Sequence, residues 1–233
     1  MRFYFKSFSI KQEQSAMKVS TDGVLLGAWT KPLSYPHQIL DVGTGTGLVA
    51  IMLAQRFTRS QIHAIDIDKA SAEEALFNVK SSPWSERLSI SNCAFQDYKP
   101  SNKYDLIVSN PPYFRNTTQS QDLARAIARN NDSLILEYLV EKSFELLNVN
   151  GELVLILPSN EFETIQSLAK KNNFYINKLC WVKGTHQSPI KRILIALNKN
   201  KEILKEENLT IENSRHNYTK EYVNLCRDFY LKL

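Results

Sequence analysis

Asn110-Pro111-Pro112-Tyr113 is the stretch of this sequence best suited to chemistry. It follows Tyr104–Ser109, a short apolar run that reads as a buried strand and that two prolines cannot continue. A carboxamide, a backbone carbonyl held between rigid residues and an aromatic ring therefore meet at the carboxyl end of a strand. Such a set suits an amino nitrogen whose lone pair is delocalised, because acceptors on both N–H groups favour the pyramidal, electron-rich nitrogen of the transition state. The Asn110 side-chain oxygen and the Pro111 carbonyl can be those acceptors. Pro112 adds rigidity, and Tyr113 can stack on a base drawn out of its neighbours. If the group donor is already activated, position and electrostatics carry the rate and no general base is needed.

A second constellation lies upstream, in Asp41-Val42-Gly43-Thr44-Gly45-Thr46-Gly47. Glycine at every second position, between an apolar strand and a helix, leaves backbone bare where a ligand must approach. The helix start is expected to offer unpaired N–H donors. This is a nucleotide-type cradle, but the dinucleotide fingerprint needs glycine where Leu48 stands, which weakens a dehydrogenase reading. Asp66 falls about twenty residues past the loop, where a carboxylate can accept from ribose hydroxyls. Asp68 reads instead as the N-cap of a helix beginning near Lys69.

The elements that must hold these residues alternate. Strand-like runs cover Gln38–Val42, Gln61–Ile67, Arg87–Ser91, Tyr104–Ser109, Glu152–Leu157, Tyr175–Val182 and Arg192–Leu197. Helical periodicity covers Leu48–Arg56, Lys69–Lys80, with Ala72, Ala75, Leu76 and Val79 on one side, Leu134–Leu147 and Phe162–Lys171. Alternation of this kind implies an α/β fold with a mostly parallel sheet covered by helices on both faces. Such sheets bind ligands beyond the carboxyl ends of their strands. No repeat or flexible linker divides the 233 residues, so a single domain is expected.

Composition narrows the partners. No apolar run is long enough to span a membrane and the first ten residues lack a signal-peptide block, so a soluble, cytoplasmic chain is expected. Cys93, Cys180 and Cys226 are far apart and have no histidine at zinc-ligand spacing, so no metal site is expected. The net charge of +5 is mild, but no acidic residue occurs between Thr164 and Lys201. That stretch carries Lys183, Lys191 and Arg192, which either meet phosphate or form a solvated basic face. Arg115, Arg125 and Arg129 follow the tetrapeptide and can serve the same purpose beside Tyr113. His186 reads as a loop residue.

Taken together, these motifs resemble the class I S-adenosylmethionine methyltransferases, with a Rossmann-like, seven-stranded, mostly parallel sheet. The stretch Ile10-Lys11-Gln12, the run Ala16 to Trp29, Ser82 to Arg87 and the ending Tyr222 to Tyr230 narrow the likeness. They are similar to those of bacterial valine-tRNA (adenine-N6)-methyltransferases, which modify the adenosine at position 37. The resemblance covers nearly the whole chain. It implies that Asp41, Gly43, Thr44 and Gly45 hold the methionine part of S-adenosylmethionine, that Asp66 and Ile67 meet its ribose and base, and that Asn110, besides facing the target amine, also touches the donor. It also implies that Lys18, Thr21 and Asp22 close over the donor, with residues 1–36 forming an extension that covers its pocket. The product would be S-adenosylhomocysteine. Where the family usually carries an acidic residue toward the adenine, this chain has Ala94, which leaves the backbone amides of Ala94 and Phe95 to read the ring edge, or Asp97 if the turn is displaced.

The implied substrate is the anticodon stem-loop of a tRNA, with no membrane and no obligate protein partner. Two other readings remain. A protein glutamine-N5 methyltransferase acting on a release factor needs the same acceptor pair, but that family carries a separate helical domain before the donor loop. A non-catalytic RNA-binding module on the same fold would not need Asn110 and Tyr113.

Overall fold

A computed structural model describes residues 1–15, 17–112 and 136–232. Tyr113, Arg115, Arg125 and Arg129 lie outside the described residues. Along the chain come β1 (Arg2–Tyr4), β2 (Ser9–Lys11), α1 (Thr21–Trp29), β3 (Gln38–Val42), α2 (Leu48–Arg56), β4 (Gln61–Asp66), α3 (Lys69–Lys80) and β5 (Leu88–Asn92). After these come β6 (Tyr104–Ser109), α4 (Leu136–Leu146), β7 (Leu147–Pro158), α5 (Phe162–Lys171), β8 (Tyr175–Thr185), β9 (Ile190–Asn198), β10 (Lys205–Ser214), β11 (Asn217–Tyr218) and α6 (Lys220–Cys226).

Among the described residues nine strands form one sheet, in the order β11-β10-β8-β9-β7-β6-β3-β4-β5. The expected seven strands are its body, and β10 and β11, which sequence reasoning did not foresee, extend one edge. Only β9 and β11 run against the rest. Helices on both faces explain why central strands are apolar throughout. Leu106 and Val108 of β6 join a core with Leu26 of α1 and Met52 of α2, while Ile107 joins one with Leu139 of α4 and Ile165 of α5. All seven residues named here are fully enclosed.

The chain before Gln38 is more structured than a polar lead-in. β1 and β2 form a hairpin whose Phe5 and Phe8 rings stack with centroids 4.6 Å apart, and Phe5 bridges to Tyr230 near the other terminus. Ser20 caps α1, accepting from the Gly23 amide at 3.3 Å. Six consecutive residues of α1, Gly23 to Ala28, are buried, so the helix shows no polar stripe to betray its period. Its Gly27 admits α2 closely, since a side-chain carbon there would come 2.8 Å from the Met52 sulfur. In α3 the buried side carries Ser71, Glu74 and Asn78 among its small apolar residues, while Leu76, expected inside, is 39% exposed. Among the described residues no helix is long and apolar enough to cross a membrane.

Candidate active site

β3 is paired with β4 on one side and β6 on the other, so the chain reverses its direction of travel across the sheet between β3 and β6. That reversal opens a crevice at the carboxyl ends of the two strands, the usual ligand position in open α/β sheets. Val42 is opposite Ser109 in register, and the Ser109 hydroxyl donates to the Val42 carbonyl at 2.8 Å. The glycine loop thus leaves one strand beside the point where Asn110-Pro111-Pro112 leaves its neighbour. Asn110 is partly buried, Pro111 buried and Pro112 exposed.

The loop is stitched to its surroundings more fully than expected. Gly43 and Thr44 both donate to the Ile65 carbonyl, at 2.9 and 3.0 Å, and Gly47 donates to Thr44 at 3.0 Å. Gly45 donates to Asp66 Oδ2 at 2.8 Å. With these loop amides engaged by Ile65, Thr44 and Asp66, the loop itself offers bare backbone surface. Gly43, Gly45 and Gly47 have φ values of 70°, 57° and 81°, a region costly for other residues. A Cβ at Gly43 would meet nothing within 4 Å, so open space lies against that residue.

Two carboxylates brace this turn. Asp41 is 1% exposed, and its Oδ2 accepts from the Thr44 hydroxyl at 2.6 Å and from the Ala50 amide, in the first turn of α2, at 3.1 Å. Burial pushes its pKa up to about 7, with the negative charge of Asp66 adding to the rise and the two donors opposing it. Asp66 ends β4 with 9% exposure, its Oδ1 accepting from the Asp68 amide at 2.9 Å. Its pKa is also raised, chiefly by burial. A carboxylate has about four lone-pair sites, so Asp66 retains capacity for hydroxyl donors. Asp68 accepts from the Ser71 amide at 2.8 Å and is the N-cap the sequence indicated.

Beyond Asp66, Ile67 follows the carboxyl end of β4 and is 55% exposed. Asn92, at the end of β5, donates to the carbonyls of both Asp66 and Ile67 at 2.9 Å, and Cys93 donates to Asp66 at 3.0 Å. Ala94 then opens a short 3-10 turn over Phe95–Asp97, with Phe95 buried and Asp97 exposed. Lys142 of α4 pins this turn, donating to the Gln96 carbonyl at 2.6 Å and lying 5.4 Å from the Phe95 ring centre. Neither Asn92 nor Lys142 was singled out from sequence. An asparagine closing an otherwise apolar strand and a lysine on a helix's inner side are weak signals taken alone.

The N-terminal segment reaches the loop. A side chain at Gly45 would meet the Ser15 hydroxyl at 3.5 Å and the Met17 carbonyl at 4.0 Å. Lys18 is exposed and Thr21 begins α1. Asp22 accepts from Arg192 Nε at 2.8 Å, so residues foreseen for donor and for RNA are joined in one ion pair. Lys183 and Lys191 stand at the end of β8 and the start of β9, on the same side of the sheet as the crevice. His186 is an exposed loop residue whose Nε2 lies 3.3 Å from Asn213 Oδ1.

The crevice residues fit S-adenosylmethionine: an open backbone cradle at Gly43, a carboxylate with spare acceptor capacity at Asp66 and an exposed apolar side chain at Ile67. Two other cavities, of about 450 and about 950 Å³, lie at the opposite, amino end of the sheet and are lined by neither the loop nor Asp66. Among the described residues no group of three or more His, Cys, Asp or Glu is placed to hold a metal.

Comparison with known proteins agrees with this geometry. Residues 22–178 match the methyltransferase small domain family. The chain is 44% identical over 233 residues to the tRNA1(Val) (adenine(37)-N6)-methyltransferase of Flavobacterium psychrophilum, covering 99% of this chain and 100% of that one. It is 43% identical to the protein of the same name from Bacteroides fragilis, covering 99% and 98%. Among solved structures, a methyltransferase from Pyrococcus furiosus superposes with a TM-score of 0.58 at 19% identity, over 82% of this chain and 90% of that one. The ribosomal protein L11 methylase of Lactobacillus delbrueckii gives 0.54 at 20% identity, over 77% of each. These structural likenesses concern the fold.

Proposed function

The chain belongs to the methyltransferase small domain family and to the bacterial tRNA1(Val) (adenine(37)-N6)-methyltransferases, and we propose that it methylates N6 of adenosine 37 in a valine tRNA. S-adenosylmethionine is the donor and S-adenosylhomocysteine the product. The observation that carries the reading is the pairing of Val42 with Ser109, which sets Asn110 beside the glycine loop at the point of strand reversal.

When bound, the donor supplies a methyl group on a sulfonium that needs no further activation. In our reading Asp41, Gly43, Thr44 and Gly45 hold its methionine part, Asp41 by bracing the loop. Asp66 accepts from the ribose hydroxyls, while Ile67 and the backbone at Ala94 and Phe95 face the adenine. Lys18, Thr21 and Asp22 close over it within an extension formed by residues 1–36 of one domain. Asn110 and Pro111 accept hydrogen bonds from the two N–H groups of the target amine, so its lone pair turns toward the methyl carbon. Pro112 fixes that carbonyl and Tyr113 stacks on the flipped base. The surplus proton leaves nitrogen after transfer, and no side chain need take it in the rate-limiting step. The anticodon stem-loop is met by Arg115, Arg125, Arg129, Lys183, Lys191 and Arg192, in the cytoplasm and without an obligate protein partner.

Asn110→Ala tests the catalytic role. It should lower kcat on valine tRNA by about 10² to 10³, or ~3–4 kcal/mol, as loss of one oxyanion-hole donor does. Donor affinity measured by calorimetry should change little. Equal losses in the two would remove Asn110 from the target amine.

A further inference from the structure

The buried carboxylate of Glu74 has no place in the scheme above, although it is 3% exposed in the middle of α3. Its Oε1 accepts from the Glu13 amide at 2.6 Å and the Gln14 amide at 3.1 Å, and its Oε2 accepts from the Ser15 amide at 2.9 Å. Three consecutive backbone donors converge on one carboxylate, an arrangement that fixes the direction of the chain carrying them. One turn along the same helix, Asn78 donates to the carbonyls of Lys11 and Thr46, both at 2.8 Å, and accepts from the Lys11 amide at 2.8 Å. Ser71 donates to the Ser15 hydroxyl at 3.2 Å, and that hydroxyl donates to the Met17 carbonyl at 3.1 Å. Gln12 closes the far side, its Oε1 accepting from the Val19 amide at 2.7 Å.

These contacts span two parts of the chain about sixty residues apart and meet at one place. Ser15 and Met17 are the groups that approach Gly45, and Thr46, tied by Asn78, belongs to the same loop. We propose that Glu74, assisted by Asn78, is a positioning residue for donor binding: it holds the N-terminal segment preformed against the glycine loop, so that Lys18 and Thr21 are already placed when the donor arrives. The three charge-assisted bonds offset the entropy of ordering an otherwise loop-like segment before the ligand is present. Glu74 touches neither the donor nor the tRNA in this arrangement and acts through the chain it holds.

The inference rests on the reading that the loop binds S-adenosylmethionine, so its test uses donor binding and backbone exchange in the full chain. Glu74→Gln keeps the side chain's shape but sets an amide NH₂ against a backbone N–H. If the competent arrangement falls to about a tenth of molecules, donor Kd and donor KM should rise about tenfold. Meanwhile kcat at saturating donor and the KM for tRNA should stay within about twofold, since an interaction of uniform binding is lost. Glu74→Asp should recover part of the donor affinity. In the unsubstituted protein without donor, hydrogen exchange at Glu13, Gln14 and Ser15 should already be slow. Unprotected amides there before donor is added would overturn the proposal. So would a Gln variant whose donor Kd is unchanged, or whose kcat falls while donor KM does not. Failure of the unsubstituted protein to bind S-adenosylhomocysteine would instead count against the donor reading beneath it.

Discussion

Asp41 is the residue whose chemistry can be followed without any ligand. Its pKa rises from the ordinary 3.8 to about 7 because burial disfavours the carboxylate. Between those values the folded chain keeps a proton that the unfolded chain releases, so this group's contribution lowers stability as pH climbs through that window. It levels off above about 7. Asp41→Asn retains an oxygen for Thr44 and Ala50 and removes the titration. From pH 4.5 to 7.5 the urea midpoint of the variant should therefore fall less, or rise more, than that of the parent protein, and identical changes would contradict the assignment. Gly43 separates folding from binding in the same way. Its φ of 70° makes Gly43→Ala cost roughly 1–2 kcal/mol of stability. The added methyl enters space the protein leaves open, so affinity for S-adenosylhomocysteine should fall by more than about tenfold. Loss of stability with unchanged affinity would place the donor elsewhere.

Among the elements, legibility followed burial and period. β3, α2, α3, β6 and α5 lie where their apolar runs and turn residues indicated, because each announces itself locally. The hairpin β1-β2 and α1 were hidden for opposite reasons, the first by short strands and the second by being buried over nearly its whole surface. β10 was hidden by its opening run of charges, Lys205-Glu206-Glu207, which lie exposed where the short edge strand β11 does not pair, with Glu206 and Glu207 accepting from the indole N–H groups of Trp181 and Trp29. In the candidate site, the places of Gly43, Asp66 and Asn110 at the ends of their strands could be read from spacing. Glu74 and Asn92 could not, since their partners are backbone groups brought near only by the fold. The β8-β9 connection carries a prediction at this scale. Lys191 is exposed and Lys183 partly so at the ligand end of the sheet. Changing both to Gln should weaken tRNA binding and reduce the dependence of log K on log salt by roughly 1.5–2, with donor affinity kept. An unchanged salt slope would leave these lysines as a solvated face.

At the scale of the whole molecule, the fold brings two segments to one crevice by a simple rule. The sheet reverses its strand order between β3 and β6, and both the cradle and the carboxamide follow the strands at that reversal. The edge strands and the N-terminal hairpin are then wrapped around a common methyltransferase body, with Phe5 against Tyr230 joining the two ends of the chain. The most direct measurement of the account is mass analysis of nucleosides from unmodified valine tRNA incubated with the protein and S-adenosylmethionine, with a release factor as a parallel acceptor. One N6-methyladenosine per tRNA is expected, at position 37, abolished when that adenosine is replaced by guanosine, with no methyl group on the release factor. A tRNA left unmethylated while a glutamine of the release factor gains the methyl group would contradict it.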